Sequence, residues 1–190
     1  MSPWQLIGIV SLSLVILFGI TVLLRSPTKG IDTISFHIAS KRHYFIIAAL
    51  LLTLAGGAFY CFLIFWLLPT YQLPAATYYI IISAFVGQLL VAWVPAKVDD
   101  TAQSLPYRLH TLGGIWVGTS MILCMWILAL FGRGVAPISY VAGAITAAIG
   151  TLSYITLLIG LWRYKKLVLW SEITMIGLFF VTLTLLALQI

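Results

Sequence analysis

Residues 45 to 68 read FIIAALLLTLAGGAFYCFLIFWLL, from Phe45 to Leu68, without one charge and with apolar side chains at every angular position of a helix. A barrel strand would alternate apolar and polar residues, so the stretch is read as helix. About 20 such residues, rising about 1.5 Å each, cross the ~30 Å hydrocarbon core of a bilayer. Backbone amides meet no water there, and a helix satisfies them internally.

Five further runs pass the same test. Spans are expected at about 4–24, 44–68, 76–94, 109–131, 137–162 and 167–190. They make an all-α, six-transmembrane-helix bundle in which residues 1–190 form a single transmembrane domain of a multi-pass cell-membrane protein. Composition agrees, because 63% hydrophobic and 7% charged residues with a mean hydropathy of +1.15 exceed what a soluble fold of this length is able to bury. The first run is read as a retained helix rather than a secretory signal. Nothing basic precedes it, Leu6 to Leu24 outlasts a signal core, and Arg25 follows it.

The charges orient the spans. With the N-terminus outside, the loops at 25–43, 95–108 and 163–166 face the cytoplasm and hold Arg25, Lys29, Lys41, Arg42, Lys97, Arg108, Arg163, Lys165 and Lys166, against Arg133 on the other side. The positive-inside rule then places both termini outside. The net charge of +6 is spread over short loops and forms no groove or basic helix face, so anionic lipid headgroups are the expected partner and nucleic acid is not. Trp4, Trp66, Tyr71, Tyr78, Tyr79 and Trp126 are expected at the outer boundary, with Tyr44, Trp93, Tyr107, Trp162, Tyr164 and Trp170 at the inner one and Trp116 as a deeper packing residue. Pro3, Pro27, Pro69, Pro74, Pro95, Pro106 and Pro137 fall at span ends or in loops, so continuous helices are expected, unlike the broken helices of many transporters.

Lipid gives helices no hydrophobic reason to associate, so contact depends on small residues. His110, Gly114 and Gly118 recur at helical spacing in the fourth span, Gly143, Ala147 and Gly150 in the fifth, and Ala49, Thr53, Gly57 and Cys61 in the second. Gln88, flanked by Ala84 and Ala92, is expected to point inward about 10 Å from Pro95. Glu172 lies about 9 Å past Lys166 and is within reach of Arg108, His110, Gln88 or the interface. An intramembrane acid is a functional candidate, with a structural ion pair or a snorkelling side chain as the alternative.

The histidines His37, His43 and His110 and the acids Asp32, Asp99, Asp100 and Glu172 all map to the cytoplasmic side. Histidine with carboxylate performs acid–base or metal chemistry. Loops are also where charges must go in such a chain, and no His-Glu-x-x-His or Gly-x-Ser-x-Gly occurs. No metal or cofactor is expected, and Cys61 and Cys124 are read as packing residues. The weak catalytic candidates are His110, Glu172 and Asp99; the binding candidates are Ser35, His37, Ser40, Lys41, Arg42, Gln88, Arg108 and His110. The first loop, which mixes hydroxyls with apolar residues between Asp32 and Ser40, reads either as a headgroup pocket or as an amphipathic linker.

Ile34-Ser35 through Ser40, then Val91-Ala92-Trp93-Val94-Pro95, then Leu109-His110-Thr111-Leu112-Gly113-Gly114 together resemble the domain of unknown function 998 family. That family is similar in layout to the FRAG/DRAM/SFK group of six-span membrane proteins. The resemblance implies a cytoplasmic-side pocket lined by Ser35, Ser40, Pro95 and His110, and an association with membrane-lipid organisation. The acid that often closely follows the proline stands here at Asp99 and Asp100, behind Lys97. Three functions are thus in play. One is a non-enzymatic, lipid-interacting protein with a basic cytoplasmic face, alone, as a homo-oligomer or with a partner membrane protein. The others are an intramembrane lipid hydrolase or transferase using His110 with Glu172 or Asp99, and a small-molecule or ion transporter with Gln88 and Glu172 on the path.

Overall fold

The computed structural model describes residues 2–25, 42–94, 104–131, 137–162 and 168–188. They form six long apolar helices, with no strand among the described residues. These are α1 (Pro3–Arg25), α2 (Arg42–Phe62 continuing through Leu63–Leu67 and Leu68–Thr70), α3 (Ala76–Trp93), α4 (Leu105–Phe131), α5 (Pro137–Trp162) and α6 (Val168–Leu188). Each packs chiefly on its neighbours in sequence, and α1 meets α6 to close the circuit. The chain is a polytopic, multi-pass membrane protein, as a place in the cell membrane requires.

Helix starts follow local chemistry. Ser2, Pro3 and Gln5 make a capping box, in which Ser2 Oγ accepts from the Gln5 N–H, Gln5 Oε1 accepts from the Ser2 N–H, and proline takes the first helical position. The fourth helix begins four residues before the expected 109, because the Ser104 carbonyl and hydroxyl accept from the Arg108 and Tyr107 N–H groups and Pro106 is tolerated in a first turn.

The second span is one continuous helical run, as expected, with a wide turn inside it. Residues Leu63–Leu67 are π-helical, with the Leu68 N–H bonded to Leu63 O. Pro69 sits inside the helical run and brings no N–H. The Tyr71 N–H returns to Leu67 O, so the carbonyls of residues 64, 65 and 66 face one remaining helical donor, Thr70. The helix then ends in a Schellman motif, with Leu73 N–H to Leu68 O, Gln72 N–H to Pro69 O, and Gln72 left-handed at φ 48°.

The small-residue faces of α2 and α5 do pack. Ala147 is fully buried and Gly150 meets Met125 of α4, while Gly57 of α2 lies against Phe85 of α3. The stripe expected on α4 divides: Gly118 is covered by the Tyr154 ring, but Gly114 is exposed and its neighbour Gly113 is the contact residue. At the crossing of α3 and α4, a Cβ on Gly113 would stand 2.7 Å from Gly87 O, and one on Gly87 would stand 3.2 Å from Gly113 O. Backbone approaches backbone there, which glycine alone permits.

The boundary aromatics differ in how far other helices cover them. Trp66 and Tyr71 are buried at 8% and 4% exposure, because the Trp66 ring stacks on Phe62 and Tyr71 Oη donates to Leu186 O. Trp116, expected as a deeper packing residue, lays one edge of its ring against Gly87 in the seam but is still 47% exposed.

Gly113→Ala is expected to lower the thermal midpoint in detergent through about 1–3 kcal/mol of overpacking. Gly19→Ala, where nothing lies within 4 Å, should leave it unchanged or raise it slightly. Gln72→Gly should raise it through about 1 kcal/mol of added stability, because glycine adopts the left-handed conformation without a steric penalty.

Candidate functional site

The residues that the sequence singles out converge in part, around the end of α3 that lies next to the start of α4. Val94 precedes Pro95, and a residue before proline is pushed out of the α region. Accordingly Val94 is extended at φ −105°, ψ 103°, and its N–H still bonds to Leu90 O. Its carbonyl meets His110 Nδ1 at 2.6 Å. A carbonyl only accepts, so Nδ1 carries the proton, and in the neutral ring Nε2 is the acceptor. His110 is buried on α4, one turn before Gly113, which holds that helix against α3.

The same end of α3 is tied to α2. Gln88 Nε2 donates to Leu52 O at 2.8 Å, and Trp93 Nε1 donates to Thr53 Oγ1 at 2.9 Å. Thr53 Oγ1 in turn donates to Ala49 O. Gly56 creates the space for Gln88, because a Cβ there would sit 2.0 Å from the amide nitrogen. Gln88 is half-buried between α2 and α3, as its small-residue flanks imply.

Glu172 is half-buried in the second turn of α6. Arg108 is exposed in the first turn of α4, and His43 is exposed at the start of α2 with its ring against Tyr44. Ser35, His37, Ser40, Lys41 and Asp99 lie outside the described residues, as does the side chain of Arg42. Among the described residues, no three of His, Cys, Asp and Glu come together as a metal would need. Cys61 and Cys124 are free thiols. The arrangement is a hydrogen-bonded clamp: α3 is held to α2 by Gln88 and Trp93 and to α4 by His110.

A second polar cluster has no counterpart in the sequence reading. Tyr154 of α5 donates to Ile115 O at 2.8 Å and lies 2.7 Å from Thr119 Oγ1, and Trp126 Nε1 donates to Thr151 Oγ1 at 2.9 Å. Spacing along one helix shows which residues share a face but not which helix that face meets, so these pairs were not legible. The Ser-x-x-Gln start of α1 was. Gln5 Nε2 extends from that cap to Ala187 O on α6 at 2.9 Å.

No family model matches the chain, and neither a curated protein nor a solved structure does.

Gln88→Met keeps the side-chain volume and removes the bond to Leu52. Its expected cost is about 0.6–1.7 kcal/mol, the range for interhelical hydrogen bonds in a bilayer, read as a lower thermal midpoint of the purified protein. An unchanged midpoint would show that Gln88 does not tie α3 to α2.

Proposed function

We propose that this is a non-enzymatic, lipid-interacting membrane protein, with both termini outside and a basic cytoplasmic face that engages anionic headgroups. The observation that carries it is in the sequence, where nine of the ten Lys and Arg fall in alternate segments between the spans and one in the others. A basic residue near an anionic surface gains about 1 kcal/mol, so the partition favours one leaflet over the other. The clamp around His110 supports the same reading. Gln88, Trp93 and His110 each hydrogen-bond another helix, which makes a rigid platform behind the basic loops.

The resemblance to the domain of unknown function 998 family belongs to this proposal. His110 against the carbonyl next to Pro95 supports reading those two matching positions as one unit. The lipid would meet this unit together with the first loop, where Ser35, His37, Ser40, Lys41 and Arg42 stand.

Native mass spectrometry of the protein extracted with its lipids is expected to show anionic phospholipid retained over zwitterionic. Crosslinks from a photoactivatable anionic lipid are expected near His110 and the first loop. Replacing Lys41, Arg42, Lys165 and Lys166 together by Gln should abolish the preference, whereas Arg133→Gln should preserve it. Equal retention of zwitterionic lipid, or a preference indifferent to the four substitutions, would refute the proposal.

A further inference from the structure

Leu63 of α2, Ile81 of α3, Cys124 of α4 and Phe179 of α6 are buried around one small apolar cavity, so these four helices meet and close the interior at that level. Seven residues along a helix make about two turns and return to the same face about 10 Å away. Taken toward the end where Val94 meets His110, that step leads from Leu63 to Gly56, from Ile81 to Gln88, from Cys124 to Val117 and from Phe179 to Glu172. Two contacts hold the first three at one level. Gln88 Nε2 occupies the space beside Gly56, and Val117 stands 3.3 Å from where a Cβ on Gly87, the neighbour of Gln88, would lie.

At this second level the interior is open. Val168, Leu169 and Met175, which flank Glu172 at −4, −3 and +3, are 2%, 4% and 4% exposed, while Trp170 on the opposite side of α6 is 66% exposed. Glu172 therefore faces into the bundle, yet it is only half-buried. Gln88 and Val117, on the corresponding faces of α3 and α4, are half-buried as well. Gly114 lies two residues from both Leu112 and Trp116, so it points away from those outward-facing side chains, and a Cβ there would meet only Val91, at 3.9 Å. It too is exposed. Three helices thus present accessible positions to the same interior space.

We infer that this opening is a binding site for an ammonium group, with the Glu172 carboxylate as its counter-ion and Gln88 Oε1 as a neutral acceptor. Gln88 Nε2 is the amide atom turned to α2, where it donates to Leu52 O, and Oε1 is turned away, 3.8 Å from the Cβ position of Gly56. An acid within a span is costly, and a bound cation offsets that cost. A carboxylate has about four lone-pair positions, so a ligand shares it with donors of the chain itself. Among the described residues no three of His, Cys, Asp and Glu converge as a metal ion requires. A primary ammonium, whose three N–H donors point apart, suits acceptors on separate helices. It comes either from a small free amine or from the headgroup of an aminolipid. The site takes the charge opposite to that which the basic loops engage, so it stands independently of the headgroup reading.

The test is thermal unfolding of the full chain in phosphatidylglycerol nanodiscs, with ethylammonium chloride as the probe and sodium chloride at equal concentration as the control. Ethylammonium is expected to raise the midpoint by about 2–4 °C over sodium. Glu172→Gln, of equal shape, should remove that rise. So should Gly114→Leu, which plugs the opening and leaves the carboxylate in place. Phosphatidylethanolamine added to the nanodiscs separates the two sources. If lipid supplies the ammonium, the midpoint rises on its addition in a Glu172-dependent way and ethylammonium then adds nothing; if a free amine is the ligand, the response to ethylammonium is unchanged. An equal rise with sodium, a rise that persists in either variant, or no response to either amine would overturn the inference.

Discussion

Where α3 crosses α4, Gly87 and Gly113 each present bare backbone to the other helix, and a side chain as small as alanine's on Gly113 would stand within 2.7 Å of a carbonyl oxygen. This approach matters more than it would in water. Lipid tails are as apolar as leucine, so burying apolar surface between helices gains little, and cohesion falls to close packing and interhelical hydrogen bonds. Many large side chains face outward for the same reason: Leu54, Tyr79, Leu112, Leu152 and Trp170 are all well exposed because lipid solvates them.

The polar side chains take up the second source of cohesion. Nearly every interhelical bond described here ends on a main-chain carbonyl or on a threonine that is itself bonded to one. Gln5 reaches Ala187 O, Tyr71 reaches Leu186 O, Gln88 reaches Leu52 O and Tyr154 reaches Ile115 O. Leu52 O and Ile115 O lie inside helices and have a second lone pair to offer, whereas Leu186 O and Ala187 O stand in the last turn of α6, where carbonyls have no helical donor; in neither case is a ladder broken. Gln5 and Tyr71 close the bundle at one end, and Gln88, Trp93 and His110 clamp the other.

The two ends differ among the described residues. One carries the clamp around α3, where the proposed work is at the membrane surface. The other holds the aromatic packing of Phe59, Phe62, Trp66 and Tyr71, the π-turn and the small cavity. The irregular backbone lies beside this aromatic cluster, with Leu63, Trp66 and Leu67 buried and Phe65 facing outward. Departures from helical hydrogen bonding are tolerated in hydrocarbon where protein covers them.

By itself the sequence determined the six helices, their approximate ends and the inward place of Gln88. Long uncharged apolar runs leave the backbone in lipid no other choice, and Ala84 and Ala92 mark the face on which Gln88 lies. It held the signals for two further features that are local in origin: the Ser2 to Gln5 capping box and the extension of Val94 ahead of Pro95. Tertiary structure alone decided which glycine forms the α3–α4 seam, that Trp66 and Tyr71 are buried while Trp116 is not, and that the carbonyl freed at Val94 is met by His110. The physical reason is the same in each case. Helical periodicity gives the angle of a side chain about its own axis, but the rotation and crossing of one helix against another follow from how two surfaces fit, and in a bilayer no difference in hydrophobicity reveals that fit in advance.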